Sequence, residues 1–229
     1  MASGQVAIIF HGIGTPGATV PAAEHRYWIG ADRFAAVLDR ILALPDPSAI
    51  HITFDDGNLS DLTIALPRLL ERGLTARFFV LTGRLGREGS LDADQVRALH
   101  AAGMRIGSHG VAHRRWPSLP PGELWDEIDG SRQRLTAICG APVTEAGIPF
   151  GAYDARVLHD LRRAGYTRAW SSDGGCMSGD GFLQPRASIT ADMDDAALDA
   201  VLAGSMPPLR RLWRSIGMLR RQMTGWLGA

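Results

Sequence analysis

The sequence predicts an α/β protein, a single domain built on a mostly parallel sheet of the barrel type. Three observations predict it. Short apolar runs alternate with segments of helical period, giving about seven βα units. No fixed-period repeat and no linker interrupts residues 1–205. His11, Asp55, Asp56, His109, Phe150 and Trp170 fall at or just past the C-terminal ends of expected strands, the rim on which barrels build active sites.

The elements follow in order. Residues 6–10 are an apolar run closed by His11-Gly12, and they predict the first strand. In 31–44 the apolar residues Phe34, Val37, Leu38, Ile41 and Leu42 recur at helical spacing, and Pro45 and Pro47 stop the helix. Residues 50–54 read as a strand running into Asp55-Asp56-Gly57. Ser60 or Asp61 caps a helix to Glu71 that Pro67 is expected to kink. Strand 76–81 precedes a helix capped by Ser90 or Asp92 and closed by Gly103. A short strand at 105–107 leads to Ser108-His109. Residues 122–138 read as helix, 144–148 as extended, 154–164 as helix and 167–170 as extended. A final short strand at 187–189 precedes a helix at 194–202.

Composition removes several function classes. The 229 residues contain 24 arginines, no lysine and 24 acids. That balance argues against nucleic acid as a partner. Without lysine there is no Walker-type phosphate loop and no Schiff base. Cys139 and Cys176 lie far apart with no CxxC pattern, and are expected as two buried thiols in a reducing compartment. Residues 1–10 lack a basic n-region, and no stretch approaches the ~20 apolar residues of a membrane span. The expected location is cytoplasmic.

Two motifs carry chemistry. Thr53-Phe54-Asp55-Asp56-Gly57 places adjacent carboxylates at a strand end, where both can reach one pocket. Two such anions repel unless a cation or proton neutralises them. Ser108-His109-Gly110-Val111-Ala112-His113 sets two histidines at i and i+4, the spacing that puts both on one face of a helical turn. Each motif alone also fits turn acids or a surface histidine pair. Together, one Asp and two His form a three-ligand site with open positions, and the second Asp is free to act as base.

These motifs, with Gly147-Ile148-Pro149-Phe150-Gly151 after them, resemble the NodB-homology polysaccharide deacetylases, carbohydrate esterase family 4. The resemblance covers roughly residues 5–203. It implies a distorted, incomplete (β/α)7-type barrel. It implies Asp55 as general base, and Asp56, His109 and His113 as ligands of a divalent metal. Two nitrogens and one carboxylate suit zinc, with cobalt, nickel and manganese as alternatives. It also implies that the Phe150 N–H meets the oxyanion and that Trp170 lines the pocket for the acetyl methyl. The implied activity removes N-acetyl groups from an N-acetylated sugar, glycan or lipid-linked glycoconjugate. A catalytically impaired glycan-binding barrel and a deacylase of a non-sugar amide are the alternatives.

Two positions depart from the family pattern. Gly147 stands where an arginine commonly orients the base, and Thr190 stands where a histidine commonly acts as acid. Arg186 is the candidate replacement partner for Asp55. His11 is a candidate acid, and so is Asp55 itself if it returns the proton it takes.

Residues 206–229 form a separate C-terminal segment with five arginines and no acid. Leu209, Leu212, Trp213, Ile216, Leu219, Met223, Trp226 and Leu227 recur at helical spacing. This basic amphipathic pattern suits peripheral contact with the inner membrane face, or packing on the barrel or in a dimer.

Overall fold

The computed structural model describes residues 4–18, 20–177, 179–206 and 208–224, without the side chains of 208–211, 213, 214 and 222. The described residues form ten strands: β1 (Val6–Phe10), β2 (Gly12–Ile13), β3 (Trp28–Ile29), β4 (Ile50–Asp56), β5 (Ala76–Val80), β6 (Arg105–Ser108), β7 (Glu145–Gly147), β8 (Arg168–Ser171), β9 (Leu183–Pro185) and β10 (Ala187–Ser188). Eight of them form one parallel sheet in the order β10-β1-β4-β5-β6-β7-β8-β9. The sheet curls into a nearly closed barrel with one seam. β2 and β3 pair separately beside the rim.

The seam lies within one stretch of chain. Leu183–Pro185 pairs with β8, and Ala187–Ser188 pairs with β1 on the opposite edge. Arg186 is the hinge between them, its N–H donating to Ser171 O at 3.1 Å. The sequence pattern indicated a strand only at 187–189, because Gln184 and Pro185 break the apolar run of the first half.

Helices cover the outside: α1 (Ala31–Leu42), α2 (Leu66–Glu71), α3 (Ala93–Ala101), α4 (Pro121–Trp125), α5 (Ser131–Cys139), α6 (Ala155–Arg163), α7 (Asp195–Leu202) and α8 (Pro208–Met223). α1 buries Phe34, Val37, Leu38 and Ile41, the face its spacing marks. α3 starts from a capping box in which Asp92 and Gln95 satisfy each other's backbone N–H. Asp154 and Asp194 cap α6 and α7 in the same position.

Two expected α-helices contain π turns. Asp61–Ala65 is a π turn that runs without a break into α2, and Pro67, which has no N–H to give, follows directly on that widened turn. Asp126–Gly130 is a second π turn, joining α4 to α5.

The barrel interior is packed. The Phe79 ring lies across Gly107, where a Cβ would meet it at 2.5 Å. Trp170 and Ala7 are buried against it. Cys139 and Cys176 are free thiols, half-buried rather than buried as the composition suggested. Among the described residues no helix is long and apolar enough to cross a membrane.

Candidate active site

A cavity of about 220 Å³ opens at the C-terminal rim of the strands. His11, Asp55, Asp56, His109, His113, Phe150 and Arg186 all line it. Trp170 does not.

β4 delivers both carboxylates. Asp55 points into the barrel by strand alternation, and Asp56 would point away. Asp56 instead has φ of +79°, which turns its side chain back to the same cavity. His113 (φ +55°) and Phe150 (φ +57°) share this left-handed conformation. Among the described residues, all three non-glycine positions with positive φ line the one cavity. Each such conformation costs on the order of 1–3 kcal/mol, borne by the surrounding fold.

The histidines do not share a helical turn, as their spacing suggested. His109–His113 is a loop that turns through left-handed Gly110 and His113. Glu127, buried in the second π turn, holds this loop. Its carboxylate accepts the N–H of Val111 at 2.8 Å and of Ala112 at 3.1 Å. Gly110 leaves room for it, since a Cβ there would sit 2.6 Å from Glu127 Oε2.

Asp56 Oδ1 lies 3.7 Å from Nε2 of both His109 and His113. The three donor atoms fall within 4.8 Å of one another. Asp56 Oδ1 is buried without a hydrogen-bond partner. His109 Nδ1 lies 2.8 Å from Gly147 O, so Nδ1 carries the proton and the Nε2 lone pair faces Asp56. Burial, followed by the nearby His109, pulls the His113 pKa down to about 4. Two imidazoles facing one carboxylate whose Oδ1 is buried and unpartnered fit a divalent cation.

Asp55 is set apart by Arg186. NH1 meets Oδ1 at 2.6 Å and NH2 meets Oδ2 at 2.9 Å, both groups buried. Burial pushes the Asp55 pKa up, but Arg186, His109 and His11 outweigh it and hold it at about 2. Asp55 Oδ2 remains 3.9 Å from His109 Nε2. Arg186 also donates to Thr53 Oγ1 at 3.1 Å.

His11 lies beside Tyr27, ring centroids 4.8 Å apart and planes tilted by 40°, with Nδ1 buried and unpartnered. Burial lowers its pKa against the opposing pull of Asp56 and Asp55. Thr190 lies outside the cavity wall, whereas Ser188 is part of it.

Trp170 requires a correction. It is fully buried, donates Nε1–H to Glu145 Oε2 at 2.8 Å, and has Arg77 and Arg168 over its ring. It fills the barrel floor. Its position after a strand suggested the rim, but its side chain is directed inward and downward.

Sequence reasoning passed over Glu24, Tyr27 and Trp28, which form a wall of the cavity. The Trp28 ring lies flat on Gly12, where a Cβ would be 2.0 Å away. The available signal was the unusually long β1-to-α1 connection with an Arg-Tyr-Trp run. Asp61 was also passed over except as a cap. Burial, then the charges of Asp56 and Asp55, raise its pKa well above the carboxylate range.

Fold and site define a parallel α/β barrel that gathers an Asp/His/His group at its rim. The family model for polysaccharide deacetylase matches residues 44–169, over half the chain, and the chain belongs to that family. It is accordingly a hydrolase acting on amide bonds.

The Bacillus subtilis protein YxkH, named for the same family, is 23% identical over 208 residues, 85% of this chain and 75% of that protein. The chitooligosaccharide deacetylase of Azorhizobium caulinodans is 30% identical over 129 residues, 55% of this chain and 60% of that enzyme. Among solved structures, the Streptococcus pyogenes deacetylase PplD in complex with acetate shares the fold. Its TM-score is 0.76 at 20% identity, covering 87% of this chain and 98% of that one.

Proposed function

We propose that this protein removes N-acetyl groups from an N-acetylated sugar or glycan with the help of one divalent cation. The observation that carries the proposal is the division of labour between adjacent carboxylates. Asp56 faces two imidazoles, while Asp55 is locked to Arg186 and still borders the same cavity.

Asp56, His109 and His113 would hold the cation, for which zinc is the first choice and cobalt, nickel or manganese the alternatives. When bound, such a cation polarises the acetamide carbonyl and lowers the pKa of water.

The rest falls to the chain. Asp55, ionised at neutral pH, takes a proton from the attacking water as its oxygen bonds to the carbonyl carbon. The Phe150 N–H, on the Pro149–Gly151 turn at the cavity edge, donates to the developing oxyanion. A donor of this kind contributes roughly 3–4 kcal/mol in other hydrolases. Asp55 then returns its proton to the leaving nitrogen, with His11 as the other candidate donor. The C–N bond breaks, giving acetate and a free amine. Tyr27 and Trp28 offer a sugar ring an aromatic wall.

The experiment has two readouts. Purified protein is assayed for bound metal, and for acetate release from N-acetylglucosamine oligomers. The expected results are about one ion per chain, lost in His109→Ala, and a roughly 10²–10⁴-fold loss of turnover in Asp55→Asn with the metal retained. Failure to bind metal on reconstitution, or equal acetate release by Asp55→Asn, overturns the proposal.

A further inference from the structure

We propose that α8 is an interfacial helix that lays an apolar stripe on an anionic lipid surface. The stripe is Leu212, Ile216, Leu219 and Met223, exposed by 55%, 47%, 61% and 67%. Spacings of four, three and four residues place them on one side of the helix.

The helix is not loose. On its opposite side Met218 packs against the core. Arg221 donates to the Asp173 carboxylate and lies over the Tyr153 ring at 4.8 Å. Asp173 is also held by Ser171 Oγ at 2.6 Å and by Tyr153 OH at 3.1 Å. Thr224 O accepts the N–H of Ala155, the first residue of α6, at 2.9 Å. A surface helix normally turns its apolar face to the core. This one is anchored through an arginine and turns apolar side chains to solvent.

Charge selects the occupant. Residues 206–229 carry five arginines and no acid, hence +5, while the whole chain has a formal net charge of zero. The remainder is therefore −5. Arg220 is exposed beside the stripe. Pairing two copies stripe to stripe would bring two arginine-rich, acid-free segments together, each with an exposed Arg220. Among the described residues, the large apolar side chains exposed elsewhere are Leu42, Leu70 and Phe150, each on a different element, so a second barrel offers no matching patch. Apolar residues flanked by arginine match the acyl boundary beneath anionic headgroups. Side chains of Leu209 and Trp213, and residues Trp226 and Leu227, lie outside the described residues and carry no part of the case.

The anchor adjoins the active site. Asp173 follows Ser172, which lines the catalytic cavity.

The test is co-sedimentation of the full chain with vesicles of phosphatidylcholine alone and of phosphatidylcholine with phosphatidylglycerol. Binding is expected only with phosphatidylglycerol, and weakening with salt. The double variant Ile216→Asp/Leu219→Asp should bind at least about tenfold less, and Arg220→Glu several-fold less, with unchanged thermal unfolding. Failure of the wild type to bind phosphatidylglycerol vesicles overturns the proposal, as does equal binding by the double variant. A concentration-dependent dimer that the double variant abolishes, without vesicle binding, overturns it in favour of self-association.

Discussion

Arg186 and Gly147 occupy adjoining space: a Cβ on Gly147 would sit 3.2 Å from Arg186 NH2 and 3.2 Å from His109 Nδ1. The family pattern commonly places its base-orienting arginine at position 147. Here the guanidinium arrives from the seam of the barrel, and glycine leaves room for it. Gly147→Ala should therefore disturb both Asp55 and His109. Roughly tenfold or greater loss in kcat is expected with a modest fall in Tm, since the Cβ meets the Phe79 ring at 2.9 Å as well. Unchanged kcat with a large fall in Tm would assign Gly147 to packing alone.

Arg186→Lys keeps the charge and loses the two-pronged grip on Asp55. The Asp55 pKa should rise from about 2, so the acid limb of the pH–activity profile moves to higher pH. About 10²-fold loss in kcat/KM is expected, with metal content unchanged. A profile that keeps its acid limb would remove Arg186 from the positioning of the base.

Glu127→Gln tests the support of the histidine loop. The substitution removes the negative charge and replaces one of the two accepting oxygens with an NH2 group, which faces the backbone N–H groups of Val111 and Ala112 as donor against donor. Metal affinity should fall roughly 10–100-fold, the scale typical of residues that orient ligands. Equal metal affinity in a titration would show that the loop holds itself.

Trp170→Phe separates barrel floor from substrate pocket. The variant loses the bond to Glu145 and is expected to lose about 1–2 kcal/mol of stability. KM should stay within error. A raised KM with unchanged stability would return Trp170 to substrate contact.

His51 gives a pH signature remote from the metal ligands. Arg77 NH1 donates to its Nδ1 at 3.2 Å. Burial, then Arg77 and Arg168, lower its pKa to about 4. Between about pH 6.5 and pH 4 the unfolded chain binds a proton that the folded chain refuses, so stability falls as pH drops through that window. His51 is partly exposed, and solvent screening reduces the effect to about 1 kcal/mol. His51→Gln should flatten that part of the denaturation curve. An identical pH dependence in the variant would assign the slope to other groups.

The sequence made the chemistry legible more readily than the geometry. Asp55, Asp56, His109 and His113 could be singled out by residue type, and the structure brings all four to one cavity. How they converge was not legible. Asp56 reaches the cavity through a positive φ that nothing in Asp-Asp-Gly announces. Glu127 lay within an apparently ordinary helix, and only the π turn directs it to the loop. Trp170 was misplaced because strand periodicity gives a face but not the depth to which a long side chain reaches. The strand alternation was clear from apolar runs, whereas the split strand on both sides of Arg186 depends on closure, a property of the whole sheet.

That split strand gives the site an order of assembly. Asp55 precedes its partner Arg186 by 131 residues. On the ribosome the two neighbouring carboxylates are synthesised long before the guanidinium that separates their roles. Until the last segment bridges both edges, they share one anionic turn with nothing from the seam to distinguish base from ligand. On the proposed mechanism, catalytic competence is therefore a late event in the life of the chain, acquired when the seam is sewn, and a protein truncated before Leu183 would carry Asp56, His109 and His113 yet no arginine to orient Asp55.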